Sequence, residues 1–146
     1  MERVDVLNER LSKANLKLTK ARKAIWETIA SAAEPLSIPQ IMNRAKKMCP
    51  SLGLVTVYRT LAVMEKAGLI KLFQTKDGSM GYVSSVLAAE SHHVQCIICK
   101  KVVEFECTGM EDTIRAVEEK TGFCIERHNL ELFGICPSCM KKSLQK

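Results

Sequence analysis

No stretch of this sequence stays apolar for the roughly 18–20 residues that a membrane-spanning helix needs. Its first ten residues, MERVDVLNER, are charged throughout and hold no apolar signal core. A cytoplasmic protein is therefore expected, with no membrane partner. Histidine is missing from residues 1–91; all three, His92, His93 and His128, lie beyond them. Any imidazole-based site must then be built by the later part of the chain. There is no low-complexity stretch and no internal repeat beyond two Cys-x-x-Cys knuckles. Also lacking is a Ser/His/Asp or Cys/His constellation with nucleophile spacing. A metal- or thiol-dependent enzyme is thus the least favoured reading.

What is present is unevenly distributed. The 146 residues suffice for one ordinary domain or two small ones, and 47% apolar with 26% charged is a globular balance. Residues 1–83 carry 14 Lys/Arg against 7 Asp/Glu, a net of +7, whereas residues 84–146 carry 8 against 9, a net of −1. Six of the seven cysteines also fall after residue 84, Cys49 being the exception. A basic part suited to a polyanion, joined to a part rich in metal ligands, implies division of labour. Chance asymmetry within a single domain is the alternative.

Local patterns supply the elements. Val4, Leu7 and Leu11 have helical spacing over residues 3–14. Thr19 is an N-cap for a helix in which Ile25 and Ile29 lie one turn apart beside Trp26. Ser37 and Gln40 make a capping box, with Pro39 in the first turn, where its missing N–H costs little. In LVTVYRTLAVMEKAGLI, residues Leu54, Val57, Leu61, Met64 and Gly68 form one seam to be buried, leaving Tyr58 and Arg59 off it. IKLFQTKDGSMGYV then reads as a hairpin turning at Asp77-Gly78. Helices followed by a basic hairpin predict a winged helix-turn-helix, whose last helix enters a major groove. For Tyr58 the alternative is a partly buried aromatic bracing the seam. Residues 84–90 read as a hinge. Beyond them HHVQCIICKKVVEF and FCIERHNLELFGI read as strands flanking a helix near 111–121 that Gly122 closes. The fold class is α+β.

Cys96, Cys99, Cys136 and Cys139 give C-x2-C-x36-C-x2-C. Two residues between cysteines let both thiolates turn to one ion, and two such pairs complete the tetrahedron that Zn²⁺ prefers. A site of four sulfurs is closed, hence structural; a reversible dithiol switch is the alternative. Cys49, Cys107 and Cys124 are read as packing residues or bystanders. Alternate strand residues share a face, so Glu90 and His92 point together and His93 points oppositely. The adjacent histidines are therefore assigned to different sites. Imidazole with carboxylate suits Zn²⁺, Fe²⁺, Mn²⁺ or Ni²⁺.

Four stretches, LKLTKAR, GLVTVYRTLAVMEKAGLI, HHVQCIICKKVVEF and HNLELFGICPSC, occur in the order and spacing that resembles the ferric uptake regulator family of bacterial metal-responsive repressors. The resemblance spans essentially the whole chain. It implies a winged-helix DNA-binding domain over 1–83, a hinge at 84–90 and a small α/β metal-binding dimerisation domain over 91–146. It also implies a homodimer on a palindromic, AT-rich double-stranded operator, with bound metal setting the angle between DNA-binding domains. By resemblance Tyr58 contacts a thymine-rich base edge, Arg59 a phosphate and Lys17 the backbone or minor groove. Arg22 and Lys23 add to the displacement of counterions. The family's exchangeable regulatory metal site falls on Glu90, His92, Glu111 and His128.

A second family site bridges the domains, and here the sequence departs from the pattern. His93 and Glu104 match, yet Ser91 stands where histidine is common, and SAAEPLSIPQ lacks the family's histidine. That site is expected to be incomplete, or completed by Cys107 or a carboxylate. Peroxide sensing through iron-catalysed oxidation of bridging histidines is demoted on the same ground. The expectation is a metal-dependent, sequence-specific DNA-binding repressor with a structural zinc and a second divalent metal. A repressor answering oxidant through its cysteines is the alternative.

Overall fold

The computed structural model describes residues 3–85 and 91–145. Four helices come first: α1 (Arg3–Lys13), α2 (Lys20–Ala30), α3 (Ile38–Ala45) and α4 (Leu54–Lys66). Thr19 caps α2, its side chain accepting from the Arg22 N–H. Ser37 and Gln40 close a reciprocal capping box on α3. These caps satisfy orphan N–H groups at helix starts, so the boundaries are written in local chemistry.

The helices enclose one apolar core in which Leu7, Leu11, Ile25, Trp26, Ile29, Ile41, Val57, Leu61 and Met64 are buried. Full burial of such side chains stabilises by roughly 1.5–3 kcal/mol each, before the entropy of ordering them. The predicted seam of α4 is corrected at its ends. Leu54 is 51% exposed, and Gly68 lies past the helix in a left-handed conformation (φ +69°) that ends it. The first turn of α4 projects from the core, and Val55 and Tyr58 are exposed with Leu54.

Strands β1 (Ile70–Gln74) and β2 (Met80–Ser84) form the predicted antiparallel hairpin. Its loop is longer than an Asp-Gly pair and spans 75–79, where the Asp77 carboxylate accepts from the hydroxyls of Thr75 and Ser79 and from the Ser79 N–H. The hairpin is pinned to the helices by an isolated bridge between Leu36 and Tyr82.

The remaining elements are β3 (Ser91–Cys96), β4 (Val102–Glu106), α5 (Met110–Thr121), β5 (Glu131–Gly134) and α6 (Pro137–Leu144). The sheet order is β4-β3-β5, antiparallel between β3 and β4 and parallel between β3 and β5. HHVQCIICKKVVEF is thus two strands folded back at the Cys96–Cys99 knuckle. The strand expected over residues 123–135 shrinks to Glu131–Gly134, because β5 pairs only with residues 93–96 of β3. Among the described residues of α5 none is buried, and Val103, Val117, Phe123, Leu132, Phe133 and Ile135 are exposed. This half therefore holds apolar surface that its own chain does not cover.

Candidate metal centre and nucleic-acid face

The parallel pairing of β3 with β5 brings the second knuckle to the first. The Ile97 N–H donates to the Gly134 carbonyl at 2.8 Å, and the Cys136 N–H to Cys96 Sγ at 3.4 Å. Cys99 Sγ lies 3.7 Å from Cys136 Sγ, and all four sulfurs of Cys96, Cys99, Cys136 and Cys139 fall within 4.8 Å of one another. Cys96 and Cys139 are buried and the other two half-buried. Among the described residues this is the one group of three or more such donors close enough to hold a metal ion.

The electrostatics suit a cation. N–H groups, first that of Cys136 and then that of Cys99, pull the Cys96 thiol down to about 6. The N–H of Cys139 likewise lowers Cys136. Cys139 is pushed up to about 12, first by its hydrogen bond with Cys136 and then by burial. Of these thiols Cys96 gives up its proton most readily and Cys139 holds its own most firmly. A divalent ion at the centre would replace that proton, and a thiolate cage of this size fits tetrahedral Zn²⁺.

The knuckle carries one backbone oddity. Lys100, directly after Cys99, has φ +64°, which costs a residue with a side chain about 1 kcal/mol. Its N–H donates to the Cys96 carbonyl at 3.0 Å, and the Cys96 N–H donates to the Lys101 carbonyl at 2.9 Å. These bonds turn both cysteines of the knuckle inward.

His92 and His93 occupy successive positions of β3 and have different neighbours. His92, 2% exposed, has its ring 5.2 Å from the ring of His128 and 5.8 Å from that of Phe105. His93, 1% exposed, turns to the helical half, where its ring lies 5.2 Å from that of Phe73 and its Nε2 is 3.4 Å from the Ser84 carbonyl. Burial holds His93 below the usual imidazole range. Glu104 pairs with His93 across the strands and accepts from the Ser85 hydroxyl at 3.2 Å.

Of the four residues expected at the regulatory site, the fold brings His92 and His128 together. Glu111 is exposed in the first turn of α5 and does not join them in a group of metal donors; Glu90 lies outside the described residues. Cys107 is exposed, with its thiol near the Thr108 carbonyl, and is not grouped with His93 and Glu104.

On the basic half, Tyr58 is 54% exposed and Arg59 also faces solvent, both in the projecting part of α4. Lys17 is exposed in the loop before α2. Arg22 is half-buried, and its guanidinium donates to the Lys17 carbonyl at 2.5 Å, so it shapes the Lys17 loop. Three side chains with positional roles escaped sequence reasoning: Arg10, Gln95 and Lys100. Arg10 and Gln95 donate to backbone carbonyls distant in sequence or in a turn, Lys100 donates to the side-chain oxygen of Gln74, and no periodic pattern marks such a role.

Comparisons with known proteins agree over nearly the full length. The pattern of the ferric uptake regulator family matches residues 13–133. The ferric uptake regulation protein of Bacillus subtilis (strain 168) is 30% identical, with 98% of each chain covered. The peroxide operon regulator of the same organism is 28% identical, covering 92% of this chain and 91% of its own. A zinc uptake regulator solved in complex with zinc and DNA superposes with a TM-score of 0.73 at 21% identity, covering 94% of this chain and 93% of that one.

Proposed function

The chain belongs to the ferric uptake regulator family, and from that premise we propose how its two halves divide the work of a metal-dependent repressor. It is a metal-responsive DNA-binding transcriptional regulator and not an enzyme. It acts on DNA as a homodimer, with structural zinc and a second, regulatory metal. No helix among the described residues is long and apolar enough to cross a membrane. We assign the protein to the cytoplasm and its operator to AT-rich palindromes.

Residues 1–83 form the DNA-binding unit, 84–90 the hinge and 91–146 the metal-binding dimerisation unit. Tyr58 and Arg59 enter the major groove, and Lys17, held by Arg22, reaches the backbone. The apolar surface of the second unit, from Val103 to Phe133 and Ile135, is buried against a second copy of this chain. Cys96, Cys99, Cys136 and Cys139 would hold the zinc, which would crosslink the β3–β4 turn to the segment that follows β5. His92 and His128 would hold the regulatory metal, with Glu90 and Glu111 as its carboxylates. His93 and Glu104 belong to the interface between units, where Ser84 and Ser85 already serve as their partners. The regulatory metal shifts the population towards the DNA-competent arrangement by binding it more tightly than the open one.

The observation that supports the regulatory site best is the meeting of buried His92 with His128. It is tested by replacing His128 with Ala and counting metals. The variant should retain one tightly held zinc per chain and lose the site that Fe²⁺, Mn²⁺, Zn²⁺ or Ni²⁺ fills in the parent. Retention of both metals would remove His128 from the site.

The closeness of the knuckle sulfurs, with Cys99 Sγ 3.7 Å from Cys136 Sγ, together with likeness to a peroxide operon regulator, supports a second reading in which oxidant acts through the cysteines. Mild peroxide would then release zinc and join knuckle cysteines before it alters His92 or His128. Mass spectrometry of the treated protein separates the two orders.

A further inference from the structure

The two halves meet at the end of strand β1, and the residues that meet it are the ones bracketing the first cysteine knuckle. Gln95 immediately precedes Cys96 and is 1% exposed. Its side-chain amide donates from Nε2 to the Gln74 carbonyl at 2.6 Å and to the Lys100 carbonyl at 3.1 Å. One amide group is thereby spent on the hairpin of the DNA-binding half and on the turn that closes the knuckle. Lys100, in its left-handed conformation, sends its ammonium to Gln74 Oε1 at 3.0 Å. Both oxygens of Gln74, backbone and side chain, are held by residues flanking the cysteines. Further contacts between the same halves include the His93 ring on Phe73 and the Val102 N–H donating to the Ala33 carbonyl at 3.3 Å.

We propose that Gln95 and Lys100 are positioning residues that seat the hairpin on the four-cysteine centre, so that order in the Cys96–Cys99 turn is transmitted to the DNA-binding half. The proposal deepens, and rests on, the reading of this chain as a metal-dependent DNA-binding protein. The chemistry favours coupling over simple packing. A buried amide is tolerated where its hydrogens find acceptors, and here one acceptor is the Lys100 carbonyl, whose direction the knuckle sets. When the turn is ordered by its metal, that carbonyl faces Gln95, and Gln95 in turn faces Gln74. When the turn loosens, the amide loses one partner and the ammonium of Lys100 its aim, and the hairpin is released from the second half. The four-cysteine centre would then set the placement of the hairpin as well as the stability of its own domain.

The test uses the full chain and three variants. Gln95→Met keeps the length of the side chain and removes its donor. Lys100→Gly removes the ammonium while accepting the left-handed backbone. Gln74→Ala removes only the acceptor that Lys100 reaches. Zinc per chain is counted by elemental analysis. Amide hydrogen exchange is followed over residues 70–84, with and without zinc removal by a strong chelator. Affinity is measured for a duplex that the parent protein selects from a randomised pool.

In the parent, zinc removal should speed exchange over residues 70–84 by tenfold or more. Lys100→Gly and Gln95→Met should keep one zinc per chain, show faster hairpin exchange before any zinc is removed, and bind the duplex at least fivefold more weakly. Gln74→Ala should do the same to a smaller degree. Should Gln95→Met fail to fold, Lys100→Gly and Gln74→Ala decide the matter on the same readouts. Hairpin exchange and duplex affinity within twofold of the parent in the zinc-loaded variants would overturn the proposal. If the parent selects no duplex with any metal, the functional reading fails, and hairpin exchange still decides the coupling.

Discussion

Arg10 offers the sharpest test of how the DNA-binding half is held together. Its Nη1 donates to the Gly68 carbonyl at 2.5 Å and to the Ser85 carbonyl at 2.9 Å, tying α1 to the end of α4 and to the exit of the hairpin. The Ser85 N–H in turn donates to the Leu69 carbonyl at 2.7 Å, so the three segments form one knot. A hydrogen bond to a charged donor contributes about 1.5–3 kcal/mol where it is shielded and less where water replaces it. Gly68 is exposed, so its bond is set at about 1 kcal/mol; Ser85 is buried, so its bond is set at about 2 kcal/mol. Arg10→Met keeps most of the aliphatic stem against the core and removes both bonds, for a loss of about 3 kcal/mol. With a urea slope of about 2 kcal/mol/M, the unfolding midpoint should fall by about 1.5 M. Arg10→Lys, whose single ammonium lacks the planar fork, should recover about half of that. The assay is urea unfolding followed by the fluorescence of Trp26, which is buried in the same core. A midpoint for Arg10→Met within about 0.3 M of the parent would show that the two bonds add nothing to stability.

Other perturbations follow from the same geometry. A Cβ at Gly81 would lie 2.8 Å from Thr75 Cγ2 and 2.9 Å from the Leu36 carbonyl carbon and oxygen, so Gly81→Ala must push the hairpin off its bridge to Leu36. Overpacking of this kind costs about 2 kcal/mol, or about 6 °C in Tm, and calorimetry that found no change would show the hairpin to be freely adjustable. The Asp77 carboxyl, held at about 2 by the hydroxyl of Ser79 and then that of Thr75, sits below its ordinary 3.8. A depressed carboxylate favours the folded turn above pH of about 4 and loses that contribution as pH falls through about 2. Carboxyl NMR should find this midpoint in the parent and a higher one in Ser79→Ala; equal midpoints would deny the hydroxyl its role. Three basic side chains from each protomer, Lys17, Lys23 and Arg59, should give a slope of about −5 in log affinity against log salt concentration. Replacing Lys17 with Ala should flatten it by about 2 per dimer, as measured by fluorescence anisotropy.

The parts of this molecule legible in the sequence are those fixed by neighbours along the chain. Thr19 and the Ser37–Gln40 box announce helix starts because a cap is made within three residues. The cysteine knuckles announce a metal site because the spacing within each pair is local. Their union needed only a strand pairing to return the second pair to the first. Two faces of β3 separated His92 from His93 in advance, as strand alternation requires. The failures are equally physical. Leu54 was placed in the core by helical spacing, yet the first turn of α4 projects outward and leaves Leu54 in solvent. The strand expected before Glu131 finds no partner on β3, which pairs only with Glu131–Gly134. Arg10, Gln95 and Lys100 had no signature, because their acceptors are carbonyls that tertiary structure alone brings near.

In the proposed function, DNA binding depends on an exchangeable metal distinct from the four-cysteine zinc. The direct measurement is fluorescence anisotropy on an AT-rich palindromic duplex after mild chelation, with Fe²⁺, Mn²⁺, Zn²⁺ and Ni²⁺ added back separately and zinc counted at each stage. One zinc per chain should survive chelation, and one of the four metals should restore affinity by about tenfold or more, about 1.4 kcal/mol of coupling. Equally tight binding before and after chelation, with the cysteine zinc intact, would contradict it.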